Sequence, residues 1–205
     1  LVCETSADAT QLVAWRRRLQ AELVSRAPTY TDLIAWQVRK VLRTHRQLAA
    51  CWSDNAADLL LPSANGFHLG IAVETPQGLL VPVVRESDSP DLDSFAVRSL
   101  ELIARARAGR LSAAEMQGGV FTISNLGGYG IDTFTPIINY PETAILGLGA
   151  LRRVPWLAAD DSVVACTRIS LSLTFDHAAH DGAPAAAMLR DVAAAIERGA
   201  DHSLG

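Results

Sequence analysis

Lysine is almost missing from this chain of 205 residues: Lys40 is the only one, and every other member of its 18 basic residues is an arginine. Single arginines scattered along helix-like segments speak for a coding bias, not for a binding surface. With 22 acidic residues the formal net charge is −4, so the basic footprint of a nucleic-acid partner is absent. Cysteine is scarce as well. Cys3, Cys51 and Cys166 are widely spaced and stand in no paired motif, which excludes a disulfide scaffold and fits free thiols in a reducing compartment. No apolar run approaches the roughly 20 residues of a membrane span. No basic segment leads into an apolar stretch as a secretory signal would. Repeats, low-complexity tracts and long linkers are lacking too. What remains is a globular chain, 49% hydrophobic, read as one continuous domain over residues 1–205.

The pattern along the chain mixes helices and strands without regular alternation. Leu1 to Thr5 reads as the middle of a strand, as though an opening segment were missing. Ser6 or Asp8 then caps a helix through about Ser25, with Leu12, Val13, Leu19 and Leu23 on one stripe. A second helix is expected from Tyr30 to Arg46, a third from Asp91 to Ala108 and a last one from about Ala183 to Arg198. Phe67–Val73 and Leu79–Val84 read as strands, with Pro82 demoting the second to an edge or bulge. Val120–Ser124, Thr143–Leu148 and Val163–Phe175 are further strands. This order favours an α+β sandwich of two layers with a mixed or mainly antiparallel sheet.

Two stretches hold candidate chemistry. Ile169, Leu171, Leu173 and Phe175 alternate with Ser170, Ser172, Thr174 and Asp176, so the odd face of that strand is buried. Continued by one residue, the alternation turns His177 toward the apolar side, where its neutral form is favoured and it can act as a base. Asp181 is placed as the N-cap of the last helix. His177, His180 and Asp181 crowd together, but no further histidine or cysteine stands at ligand-like spacing from them, so no metal site is expected. The second stretch, Phe121-Thr122-Ile123-Ser124-Asn125-Leu126-Gly127-Gly128-Tyr129-Gly130, runs a strand into a glycine-rich loop. It lacks the Gly-Lys-Ser/Thr ending of a phosphate loop and the Gly-x-Ser-x-Gly elbow of a serine hydrolase. Its glycines fit positive φ, and a hydroxyl such as Ser124 at the strand end can donate to a developing oxyanion.

These blocks resemble a known family. Asp176-His177-Ala178-Ala179-His180-Asp181-Gly182 matches the His-x-x-x-Asp-Gly motif of the 2-oxoacid dehydrogenase acyltransferases, the dihydrolipoamide acyltransferase (E2) cores related to chloramphenicol acetyltransferase. Gly70–Val84, Glu115–Gly127 and Phe134–Gly147 resemble further blocks of that family, in the right order. The resemblance implies a two-layer chloramphenicol acetyltransferase-like sandwich that forms homotrimers, with active sites between subunits, and trimers that build cubic or dodecahedral cores. It also implies roles. His177 is the general base, Ser124 of the adjacent subunit donates to the tetrahedral intermediate, and Asp181 orients the His177 loop through an ion pair. Coenzyme A is the co-substrate, an S-acyl dihydrolipoyl group on a separate lipoyl domain is the donor, and the E1 and E3 components are partners through other domains. Which residues hold coenzyme A is not readable.

Two departures stand out. Ala178 replaces the arginine that most of these cores carry after the histidine, and His180 stands where an aliphatic residue or cysteine is usual. Lys40 lies within a helix, so no lipoyl domain is expected in these residues. Acetyl, branched-chain and succinyl transfer stay open, with His180 or an arginine as the cation that succinyl would want. The alternatives are a structural core subunit without turnover and a free-standing small-molecule acetyltransferase. A bacterial cytoplasmic location is expected, with a mitochondrial matrix protein as the alternative.

Overall fold

The structure is a computed structural model that describes residues 1–22 and 27–200. In chain order the elements are β1 (Val2–Asp8), α1 (Thr10–Glu22), α2 (Tyr30–Thr44), β2 (Cys51–Trp52), β3 (Leu59–Leu60), β4 (Leu69–Ile71), β5 (Val73–Thr75), β6 (Gly78–Leu80), β7 (Val83–Val84), α3 (Leu92–Arg107), β8 (Phe121–Asn125), β9 (Ala144–Leu148), β10 (Arg152–Leu157), β11 (Val163–Phe175) and α4 (Gly182–Arg198). The main sheet runs β1-β11-β9-β8-β4-β7, with β10 paired to the first half of β11. β8 lies parallel to both β4 and β9, and the other pairs are antiparallel. The sheet is therefore mixed, and the four helices cover one face as the second layer of an α+β sandwich.

The alternation read from β11 holds. Ile169, Leu171, Leu173 and Phe175 are all buried in the core under the helices. Met188, Leu189, Val192 and Ile196 of α4 meet them with Leu33, Ile34, Val38 and Leu42 of α2, and each such side chain stabilises the fold by about 1.5–3 kcal/mol. α2 begins at a capping box: the Asp32 N–H donates to Thr29 Oγ1 at 3.1 Å, and the Thr29 N–H donates to Asp32 Oδ2 at 2.8 Å. Asp91 and Ser94 do the same for α3.

Several boundaries differ from the sequence reading. Ser6 lies inside β1 and does not cap α1; Asp8 Oδ1 accepts the Thr10 N–H at 2.8 Å instead. Leu23 and Ser25 fall outside the described residues. The run 79–84 splits at Pro82: β5 and β6 form their own hairpin while β7 becomes the sheet edge beside β4. Not every arginine is a scattered surface charge either. Arg39 is buried between α2 and α3, donates to the Ser89 carbonyl and hydroxyl at 3.0 and 2.9 Å, and has its pKa lowered to about 10 by burial.

Candidate active site

β11 stops at Phe175, and Asp176 turns the chain. The Asp176 N–H donates to the Thr143 carbonyl at 2.9 Å, and its own carbonyl accepts the N–H groups of Ala179 and His180. Its side chain takes two more donors: Oδ1 accepts the Ala178 N–H and Oδ2 accepts Trp52 Nε1–H, each at 2.9 Å. These donors, the Ala178 N–H foremost, hold the Asp176 carboxyl below the usual carboxylate range. The tight turn ends the strand alternation one residue early. His177 consequently does not point into the apolar side as the alternation predicts. It stands exposed on the turn, its ring 6.0 Å from that of Phe175.

His180 is the histidine that goes inside. It is 6% exposed, and its Nε2 lies 2.7 Å from Thr143 Oγ1, whose hydroxyl in turn donates to the Ala50 carbonyl at 2.7 Å. Thr143 has spent its proton, so His180 Nε2 is the donor, and burial lowers the His180 pKa. The imidazole is enclosed and spent on Thr143. Asp181 occupies the N-cap position of α4, yet its side chain caps no N–H and finds no partner among the described residues. The loop is held by Asp176, with Asp181 facing outward.

His177 borders a cavity of about 510 Å³ together with Trp52, Tyr140 and Glu142. Glu142 is 3% exposed, and its Oε2 meets no partner while Asn139 Nδ2 approaches Oε1 at 3.4 Å. Burial pushes its pKa up to about 7. Thr122 and Asn139 temper that rise, although Thr122 Oγ1 makes no well-formed hydrogen bond. The same carboxylate, after burial itself, raises the neighbouring Cys51 thiol to about 11.

Ser124 lies elsewhere. Half-buried near the end of β8, it borders a groove of about 1180 Å³ between α3, the β5–β6 hairpin and the start of α2. Its hydroxyl has no partner among the described residues. Asn125 fixes its position: Nδ2 donates to Thr31 Oγ1 at 2.9 Å, and Oδ1 accepts the Gly127 N–H at 2.8 Å. Of the glycines that follow, Gly127 is required by close packing and Gly130 by its positive φ. A Cβ on Gly127 would lie 2.4 Å from the Gly149 carbonyl oxygen. The N–H groups of Gly127, Tyr129, Gly130 and Ile131 are all bonded within the loop, so it offers no open phosphate cradle.

His177 and Ser124 thus border different cavities of one chain. No group of three histidine, cysteine or acidic residues that could hold a metal occurs among the described residues. The sequence reading missed Trp52, Thr143 and Glu142 as parts of the site. Nothing local marks Trp52 or Thr143, whose side-chain partners Asp176, His180 and Ala50 are more than 30 positions away.

The family described as 2-oxoacid dehydrogenases acyltransferase (catalytic domain) matches residues 1–203. The dihydrolipoyllysine-residue acetyltransferase component of the acetoin cleaving system of Bacillus subtilis is 37% identical over 200 residues, covering 96% of this chain and 49% of that protein. The corresponding component of the Staphylococcus aureus pyruvate dehydrogenase complex is 37% identical over 76% of the chain and 35% of its own length. The chain therefore spans about half or less of the curated relatives it matches. Among solved structures, Azotobacter vinelandii dihydrolipoamide acetyltransferase, investigated for the roles of a serine, a histidine and an asparagine in its mechanism, superposes with a TM-score of 0.89 at 33% identity, over 96% of this chain and 81% of that one. The cubic core of a pyruvate dehydrogenase multienzyme complex gives the same values. Chloramphenicol acetyltransferase, at 11% identity and a TM-score of 0.61 over 95% and 86% of the two chains, shares the fold. With that profile spanning almost every residue and a relative 37% identical across nearly the whole chain, the chain belongs to the 2-oxoacid dehydrogenase acyltransferase family, whose catalytic domain it carries.

Proposed function

We propose that this domain transfers an acetyl group between an S-acetyl dihydrolipoyl arm and coenzyme A, with His177 of one subunit and Ser124 of its neighbour meeting in each active site of a homotrimer. The observation that carries the reading is the separation of the two residues. Each has a free polar group facing its own opening, and neither borders the other's cavity. A site assembled across an interface accounts for both half-sites at once.

The chemistry follows from the residues. A thiol with a pKa near that of cysteine, about 8.5, is mostly protonated at pH 7. His177 takes that proton as sulfur attacks the thioester carbonyl and returns it to the departing thiolate. General-base assistance of this kind is worth about 10²–10⁴ in rate. The Ser124 hydroxyl, unengaged in the free subunit, donates to the oxyanion, a contribution of roughly 3–4 kcal/mol. One thioester replaces another, so the reaction runs readily both ways. Asp176 and Trp52 fix the turn that presents His177. The lipoyl arm would arrive on a domain outside these residues, and the trimers would stack into a larger core as in the cubic relative. No helix among the described residues is long and apolar enough to cross a membrane.

The test is subunit mixing. His177→Ala and Ser124→Ala are assayed singly for transfer from acetyl-CoA to dihydrolipoamide, then co-expressed. Each alone is expected to lose at least about 10²-fold in kcat. Random trimers of the two regain about a quarter of the wild-type sites, those where an intact His177 faces an intact Ser124. Inactive mixtures would refute the shared site. An unaffected His177→Ala variant would refute the base, and a trimeric wild type without turnover would leave the structural-subunit alternative.

A further inference from the structure

Two residues that border the groove beside Ser124 each hold a buried polar atom that the chain itself leaves unsatisfied. Asp32 Oδ1 and Ser99 Oγ are buried in residues only 4% and 1% exposed, and neither has a hydrogen-bond partner. Both residues border the groove, one from the first turn of α2 and the other from the middle of α3. The division of labour within Asp32 is informative. Its Oδ2 is spent on the helix cap, accepting the Thr29 N–H at 2.8 Å and the Thr29 hydroxyl at 2.7 Å. The cap therefore explains one oxygen and not the other. A buried acceptor without a donor destabilises a fold by about 1–3 kcal/mol, and native structures keep few of them. A bound molecule that supplies the donor removes that penalty.

The rest of the wall says what kind of molecule fits. Ile71, Val73, Leu100 and Ile103 give it apolar flanks. The Asn125 to Thr31 hydrogen bond pins the Ser124 strand end to the same turn of α2 that carries Asp32. A slender aliphatic arm with an amide along its length meets every requirement. Its methylenes lie on the apolar flanks, its N–H donates to Asp32 Oδ1, and its carbonyl accepts from Ser99 Oγ–H. We infer that Asp32 and Ser99 form an amide-binding pair for the substrate arm that enters beside Ser124. The inference rests on the acyltransferase reading above, in which both thiol-ended arms, dihydrolipoyl-lysine and the pantetheine of coenzyme A, carry an amide.

Steady-state kinetics on the assembled protein separate the two sources. The KM for dihydrolipoamide and the KM for acetyl-CoA are each measured for wild type, Ser99→Ala, Ser99→Thr and Asp32→Asn. Ser99→Ala is expected to raise one of the two KM values roughly three- to tenfold, the worth of one hydrogen bond, and Ser99→Thr to restore it. Asp32→Asn keeps an oxygen on the Thr29 N–H and so turns an NH₂ toward the groove, a donor facing a donor. It should raise the same KM. A shift for dihydrolipoamide assigns the lipoyl arm, and a shift for acetyl-CoA assigns pantetheine. Active variants in which both KM values stay within about twofold of wild type overturn the amide pair alone. A wild-type protein that transfers no acetyl group overturns the acyltransferase reading and the pair with it.

Discussion

Replacing Glu142 by glutamine is expected to stabilise the protein at pH 8 far more than at pH 5. The carboxyl is almost wholly enclosed, with Oε2 unpartnered and Oε1 within reach of Asn139 alone. Burial raises its pKa from 4.5 to about 7. The folded protein therefore holds this proton to higher pH than the unfolded chain does. Between those two values the folded state binds more protons, so stability falls as the pH rises, and the loss is complete once the pH exceeds the folded pKa. At 1.36 kcal/mol for each pH unit of displacement the penalty reaches about 3 kcal/mol by pH 8, with less than about 1 kcal/mol of it present at pH 5. Glutamine keeps the volume and removes the ionisation. For a domain of this size each kcal/mol moves Tm by about 2–4 °C, so the variant should melt roughly 6–12 °C above wild type at pH 8 and within a few degrees of it at pH 5. Thermal melts of both proteins at the two pH values decide the matter. An equal gap at both would mean that Glu142 ionises as it does in the unfolded chain, and the burial argument would fail.

Two other substitutions test the supports of the site. Trp52→Phe removes the Nε1–H that holds Asp176 Oδ2; the expected loss is about 1.5 kcal/mol, the low end for a hydrogen bond to a charged group because Asp176 is only half-buried. Since the Asp176 pKa is lowered in the folded state, that loss should shrink as the pH falls through the folded pKa, and kcat should drop as the His177 turn loosens. An unchanged kcat would show that the turn is held without Trp52. Gly149→Ala places a Cβ 1.9 Å from the Asp132 carbonyl oxygen, a backbone clash that should destabilise by at least about 1–3 kcal/mol; a Tm equal to wild type would show that the 131–134 segment yields freely.

What the sequence determined alone is what depends on neighbours along the chain. The period-two run from Ile169 to Phe175 announced the central strand and its buried face. Pro82 announced an edge, and β7 is the edge of the main sheet. The motif from Asp176 to Gly182 together with three further blocks led to the family. Short strands without a run of their own, such as Cys51–Trp52, and the exposed hairpin strand Arg152–Leu157 left too little pattern to read. Tertiary structure alone decided which histidine is outside. The alternation pointed His177 inward, but five hydrogen bonds on Asp176, two of them from Trp52 and to Thr143, end the strand there and bury His180 in its place. It also decided that Glu142 is walled off from water and that one oxygen of Asp32 is left without a partner. Those properties arise from groups far apart in sequence that the fold brings together or walls off from water, and local spacing carries no record of either.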